Sequence, residues 1–146
     1  MFHFSKKVEY GITSLLHLHC VGAEERVPTR ELADAYRIPV EHLGKVLQRM
    51  VRAGLIESTQ GAHGGYSLSR ALSEITLAEV VGALDSPKDN PVEPVSSRPC
   101  ASLCTCFVKK GVRAMEGLMQ AELERITLDM VLEQHSPAPE TEEVSA

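Results

Sequence analysis

No stretch of this 146-residue chain approaches the roughly 18 consecutive apolar residues that a membrane-spanning helix needs. The opening residues, Met1-Phe2-His3-Phe4-Ser5-Lys6-Lys7, lack the apolar core of a secretory leader, so a cytoplasmic location without membrane contact is expected. Cysteine is scarce. Cys20, Cys100, Cys104 and Cys106 make a poor disulfide framework for this length, and in a reducing compartment the clustered three read as metal ligands or redox thiols. A glycine-rich phosphate loop is missing, as is any convincing Ser/His/Asp arrangement, which leaves an enzyme without support. What remains, 43% hydrophobic and 24% charged, suits one soluble domain or a small domain with an appendage.

A net charge of −5 argues at first against a polyanionic partner. The excess is local, however: Asp129, Glu133, Glu140, Glu142 and Glu143 lie in a C-terminal stretch with no Lys or Arg. Between residues 37 and 70, Arg37, Lys45, Arg49, Arg52 and Arg70 outnumber Glu41 and Glu57. Such asymmetry permits nucleic-acid binding without establishing it.

Val8, Ile12, Leu15, Leu16 and Cys20 recur at helical spacing, which predicts a first helix from Ser5, its N-cap, to about residue 21 with Cys20 in the core. A second short helix starts at Thr29 and turns Leu32, Ala33 and Tyr36 inward. Ile38-Pro39 breaks the chain, because a residue before proline avoids the α region. The third helix, about Val40 to Ala53, buries Leu43, Val46, Leu47, Met50 and Val51, and Gly54 caps it. Leu55–Ser58 and Tyr66–Ser69 read as a hairpin with a glycine-rich tip, and Thr76 caps a further helix. Pro87, Pro91, Pro94 and Pro99 mark a linker.

Two apolar stripes then run side by side from Phe107 to Leu132: Phe107, Gly111, Ala114, Leu118, Ala121, Leu128 and Leu132, and beside them Val108, Val112, Met115, Met119 and Ile126. One small core does not need both, so a partner helix and hence a homodimer is predicted; packing of both within one protomer is the alternative. The expected organisation is a winged helix-turn-helix domain over 1–85, a cysteine loop over 86–106, a dimerisation helix over 107–135 and a disordered acidic tail over 136–146, mainly α overall.

Helix, break, helix and glycine-tipped hairpin is the order of a winged helix-turn-helix, whose third helix enters the major groove of DNA. The chain also resembles the IscR/NsrR-type (Rrf-two) family of bacterial winged-helix iron–sulfur transcription regulators. The resemblance rests on Glu9-Tyr10-Gly11-Ile12, Thr29-Arg30-Glu31-Leu32-Ala33, Ile38-Pro39-Val40-Glu41-His42-Leu43, Lys45-Val46-Leu47, Ala53-Gly54-Leu55-Ile56, Gly61-Ala62-His63-Gly64-Gly65-Tyr66 and Ile75-Thr76-Leu77-Ala78-Glu79-Val80-Val81, within about residues 5 to 133. It implies a homodimer on a partly palindromic double-stranded DNA operator, with an iron–sulfur cluster, [2Fe-2S] or [4Fe-4S], in the cysteine loop.

On the third helix, Lys45 can donate to guanine while Glu41 and His42 read or reject base edges. Arg37, Arg49 and Arg52 position the phosphate backbone. Thr29 joins this DNA-contacting set, with Gln60 and His63 from the hairpin; Gln60 stands where family members often carry arginine, so His63 takes up the minor-groove contact. Cys100, Cys104 and Cys106 are spaced C-x3-C-x-C, whereas family members commonly show two successive C-x5-C spacings, and Pro94 occupies the place of the upstream cysteine. Three cysteines leave a cluster one ligand short. The resemblance assigns the fourth to Glu9 from the first helix of the partner subunit, an exchangeable oxygen ligand. Zinc in the same site, a metal-free dithiol switch, and sensing through a protein partner are the alternatives. His17 and His19 lie on opposite helix faces and make a poor metal pair.

Overall fold

The computed structural model describes residues 3–85 and 99–134; the proline linker, apart from Pro99, and the acidic tail expected from the sequence lie outside them. Six helices and one hairpin follow in order: α1 (Lys6–Val21), α2 (Thr29–Tyr36), α3 (Val40–Arg52), β1 (Ile56–Thr59), β2 (Gly65–Leu68), a short 3-10 turn (Leu72–Glu74), α4 (Leu77–Leu84), α5 (Leu103–Arg125) and α6 (Leu128–Glu133). Among the described residues no helix is long and apolar enough to cross a membrane.

Local signals set the first three helices. Ser5 caps α1 by accepting from the Val8 N–H at 3.4 Å. In the α2–α3 turn, Arg37 takes a left-handed conformation (φ 54°) and the Ile38 N–H donates to the Ala33 carbonyl at 2.9 Å, so the chain reverses before Pro39. At the end of α3, Ala53 is the cap residue and Gly54 follows it with φ 76°. The Gly54 and Leu55 N–H groups then bond the Val51 and Met50 carbonyls, each at 3.0 Å, a Schellman closure that launches β1.

The core lies between α1, α3, α4 and the hairpin. Val8, Leu15, Leu32, Leu43, Leu47, Met50, Ile75, Val80, Leu84 and Leu128 are all buried within it. Close packing here depends on Gly11, since a Cβ at this position would collide with the Leu84 side chain and crowd Met50 Sδ at 3.3 Å. Two inward placements expected from the sequence are corrected: Tyr36 is exposed, its hydroxyl 2.8 Å from His17 Nδ1, and Cys20 is exposed near the end of α1. Leu18 and Val21 face the core on either side of Cys20, so Cys20 itself falls on the open side of the last turn of α1.

The hairpin is antiparallel, pairing Ile56 with Leu68, Glu57 with Ser67, Ser58 with Tyr66 and Thr59 with Gly65. On the other edge of β2, Val27 adds a single bridging rung through reciprocal backbone bonds with Tyr66 at 3.0 and 2.9 Å, which anchors the wing to the α1–α2 connection. A side chain at position 65 would meet the Val27 backbone at 2.7–2.9 Å, so this rung requires glycine there. This is a winged helix-turn-helix fold with an added long C-terminal helix.

Thr76 and Glu79 form a capping box on α4: Thr76 Oγ1 accepts from the Glu79 N–H at 3.2 Å and Glu79 Oε2 accepts from the Thr76 N–H at 2.9 Å. Arg70 Nη2 donates to Glu79 Oε1 at 2.6 Å. The Thr76 N–H bond, with help from Arg70, holds the Glu79 carboxyl below its ordinary pKa. A depressed carboxylate pKa stabilises the fold above the unfolded value of about 4.3 and loses that contribution as pH falls through the native value. Glu79→Gln is therefore expected to cost about 1 kcal/mol or less at pH 7, the ion pair being partly exposed, and almost nothing near pH 3. Urea midpoints at the two pH values check this.

The C-terminal region departs from the expected single helix over 107–135. α5 starts four residues earlier, at Leu103, with Ser102 Oγ accepting from the Thr105 N–H at 3.2 Å, and it ends at Arg125. Ile126 and Thr127 are extended and lie across the start of α4: Leu77 donates to Ile126 at 2.9 Å, Leu128 donates to Ile75 at 3.0 Å, and Thr76 bridges Thr127. The reversal brings Leu128 of α6 fully into the winged-domain core.

Candidate nucleic-acid interface and cysteine segment

α3 places Glu41, His42, Lys45, Gln48 and Arg52 on its exposed side while Leu43, Val46, Leu47 and Met50 fix the opposite side in the core. The side chains at 41, 45, 48 and 52 follow three- and four-residue steps, so they share one face of a rigid helix. Arg37 is exposed at the turn before it, and Thr29 is half-buried at the start of α2. Gln60 and His63 are exposed in the wing loop, where His63 lines a hollow of about 360 Å³ with Glu24, Glu25 and Arg26.

Arg49 differs from the expectation of a purely phosphate-facing residue. It is half-buried and its Nη1 donates to the Leu84 carbonyl at 3.2 Å, tying α3 to the last turn of α4. The same residue also reaches a cleft of about 380 Å³ between α3 and the start of α1, lined by Lys6, Lys7, Tyr10, His42, Lys45 and Val46 as well. The lysines and Tyr10 had no place in the sequence-derived site. A basic pair in the first turn of a helix, where the dipole favours acids, was the signal available for them.

The cysteines do not share one loop. Cys100 precedes α5, whereas Cys104 and Cys106 lie in its opening turns. Cys106 is half-buried; the neighbouring Cys100 thiol, with desolvation, raises its thiol pKa above the ordinary value, while the Lys109 ammonium works the other way. Cys104 is exposed, and two residues along an α-helix amount to about 200° of rotation, so it points away from Cys106. Among the described residues no three His, Cys, Asp or Glu side chains of one chain converge as metal ligands would. Glu9 is exposed in the first turn of α1. The chain as folded thus fits a pair of neighbouring thiols and does not fit a three-thiolate cluster cage.

Along α5 no residue is buried; Leu103, Phe107, Met115 and Leu118 are between 63% and 80% exposed. A ridge about 34 Å long therefore presents its apolar side chains to solvent in the single chain.

Winged helix-turn-helix geometry with a cationic recognition face defines the chain as a DNA-binding regulator of transcription. Residues 4–134 match the family model described as Rrf2, iron-dependent transcriptional regulator. The chain belongs to that family. It is 31% identical to the protein rrf2 of Nitratidesulfovibrio vulgaris over 131 residues, 89% of this chain and 87% of that protein. Among solved structures it is similar in fold to CymR, the global cysteine regulator of B. subtilis (TM-score 0.68, 23% identity, 93% of this chain and all of that one). T. potens IscR is similar too (TM-score 0.69, 22% identity, 92% of this chain and 89% of that one).

Proposed function

We propose that the protein is a homodimer that binds a partly palindromic DNA operator and whose affinity is set by the cysteines at the start of α5. The observation that carries the DNA-binding half is the exposed row of His42, Lys45 and Arg52 on α3, beside the wing and backed by a rigid core. Pairing of two α5 helices along their uncovered apolar side supplies the dimer, and two α3 helices would then read half-sites about 34 Å apart. In that arrangement Lys45 donates to guanine, Glu41 and His42 select base edges, and Arg37, Arg52, Thr29, Gln60 and His63 hold the flanking backbone and minor groove.

For the control step, the nearness of Cys100 to Cys106 allows disulfide exchange with a low-molecular-weight disulfide, the exposed Cys100 attacking first and Cys106, whose thiol is held protonated more strongly, resolving. The exposed Cys100 gives up its proton to solvent and attacks one oxidant sulfur, and the other leaves as a thiolate that takes up a proton. Cys106 then gives up its proton to solvent and displaces the second thiolate from the mixed disulfide. Two protein thiols are thereby oxidised and one external disulfide is reduced to two thiols. The new bond ties residue 100 to α5 and alters how the dimer helix begins, with the winged domain tethered to its other end.

A second reading is favoured by the family model's description as iron-dependent. In it Cys100, Cys104 and Cys106, with the partner subunit's Glu9, hold an iron–sulfur cluster; the first turn of α5 would have to open for Cys104 to join Cys106. One experiment separates the two. The protein is purified anaerobically, assayed for iron and sulfide, and used to select duplexes from a random-sequence pool before and after treatment with oxidised glutathione. The thiol reading expects a colourless protein whose operator affinity changes at least about ten-fold on oxidation, about 1.4 kcal/mol, and a Cys106→Ser variant that does not respond. Stoichiometric iron and sulfide would overturn it in favour of the second reading.

A further inference from the structure

The cleft between α1 and α3 is an unassigned basic surface adjoining the recognition face. Lys6 and Lys7 approach it from the first turn of α1, Tyr10 from the next turn, and His42 and Lys45 from α3, while the buried Val46 forms part of its wall. Among the described residues no acidic side chain lines it, although the whole chain carries a net charge of −5. Lysines at the first two positions of a helix also stand against the dipole, which favours acids there. Both lysines therefore add positive charge to the cleft at the edge of the recognition face.

We propose that this cleft seats the sugar–phosphate backbone of the strand beside the groove that α3 enters, with Lys6 and Lys7 as phosphate contacts and Tyr10 as a hydroxyl donor. The inference rests on the operator-binding reading and extends it from α3 and the wing to α1. His42 and Lys45 belong both to the exposed face of α3 and to the cleft, so a single backbone following the groove meets both surfaces without a gap. Lys6, Lys7, His42 and Lys45 along it are all exposed, so its cationic groups are accessible to a polyanion. Contacts of this type position the duplex and carry no base preference.

The test uses the full-length protein and the duplexes that the wild type selects from a random pool. Affinity is measured between 50 and 200 mM salt for the wild type, for Lys6→Gln/Lys7→Gln and for Lys6→Arg/Lys7→Arg. Each phosphate contact contributes about −0.9 to the slope of log affinity against log salt, so the glutamine variant is expected to lose about 1.8 of slope per engaged protomer. Over that four-fold salt range its affinity should change about twelve-fold less per protomer than that of the wild type. The selected sequence should stay the same, the arginine variant should restore the slope, and the melting temperature of the glutamine variant should be unchanged or higher. An unchanged slope overturns the proposal, as does a lower slope accompanied by a lower melting temperature or an altered sequence preference. A wild type that selects no duplex removes the operator reading itself, a failure visible before any variant is made.

Discussion

Glutamate in place of both Phe107 and Leu118 is expected to yield a folded monomer that has lost about 10²–10⁴-fold in operator affinity. The two side chains share one stripe of α5 and are 71% and 74% exposed in the single chain, so the monomer already hydrates them and gives up little when they become polar. A dimer paired along this stripe would bury four such side chains, two from each protomer. Burial of a Phe or Leu side chain contributes about 1.5–3 kcal/mol, so removing four costs about 6–12 kcal/mol before any repulsion among the new carboxylates. A dimer with a micromolar dissociation constant has only about 8 kcal/mol of association free energy to lose. The affinity loss follows because the second half-site contact, formerly intramolecular, becomes a separate binding event. Sedimentation equilibrium and mobility shifts on the selected operator check both parts; a variant that remains dimeric at micromolar concentration would place the dimer contact elsewhere.

Where a structural feature is encoded by near neighbours, the sequence was enough to locate it. The Ser5 cap, the Thr76 cap, the Ile38-Pro39 break and Gly54 each act within one helical turn, and each marks an element boundary in the fold. The wing was legible for the same reason: two short strand-like segments on either side of a glycine cluster leave few other conformations. Failures came where a distant partner decides. Arg49 has the spacing of a DNA-facing residue, yet the Leu84 carbonyl at the end of α4 holds part of it. Tyr36 falls on the apolar side of α2, but its ring meets His17 edge-on at the protein surface. The cysteines illustrate a boundary effect. Starting α5 at Leu103 rather than Phe107 moves Cys104 and Cys106 from a loop, where all three thiols could gather, onto a helix that sends them in different directions. Leu128 and Leu132 continued the four-and-three rhythm of the dimer stripe, so nothing local announced that the helix stops at Arg125.

That hidden reversal carries the second large effect: Leu128→Ala is expected to destabilise the winged domain by about 2–5 kcal/mol and to lower its melting temperature by about 10 °C. Leu128 is fully buried, and the strand-like pair Ile126–Thr127 leading into it is fastened to the start of α4 by backbone bonds at 2.9 and 3.0 Å. Truncation leaves a cavity under α6, while the fastened backbone limits how far the neighbours can collapse into it. On an uninterrupted dimer helix the same residue would sit on the intersubunit seam, and alanine there would weaken association without loosening the protomer. Chemical denaturation in the Phe107→Glu/Leu118→Glu background separates these cases, since that background removes the dimer contribution. A large loss of stability there assigns Leu128 to the protomer core, and a negligible loss would return it to the seam. The connection matters for control because the strap at 126–128 is the covalent and hydrogen-bonded route from α5 to the capping box of α4, and Arg49 links the far end of α4 to α3. On the proposed thiol control, a change begun at the cysteines would pass along α5 to this strap, so loosening Leu128 is expected to reduce the difference in operator affinity between the reduced and oxidised protein.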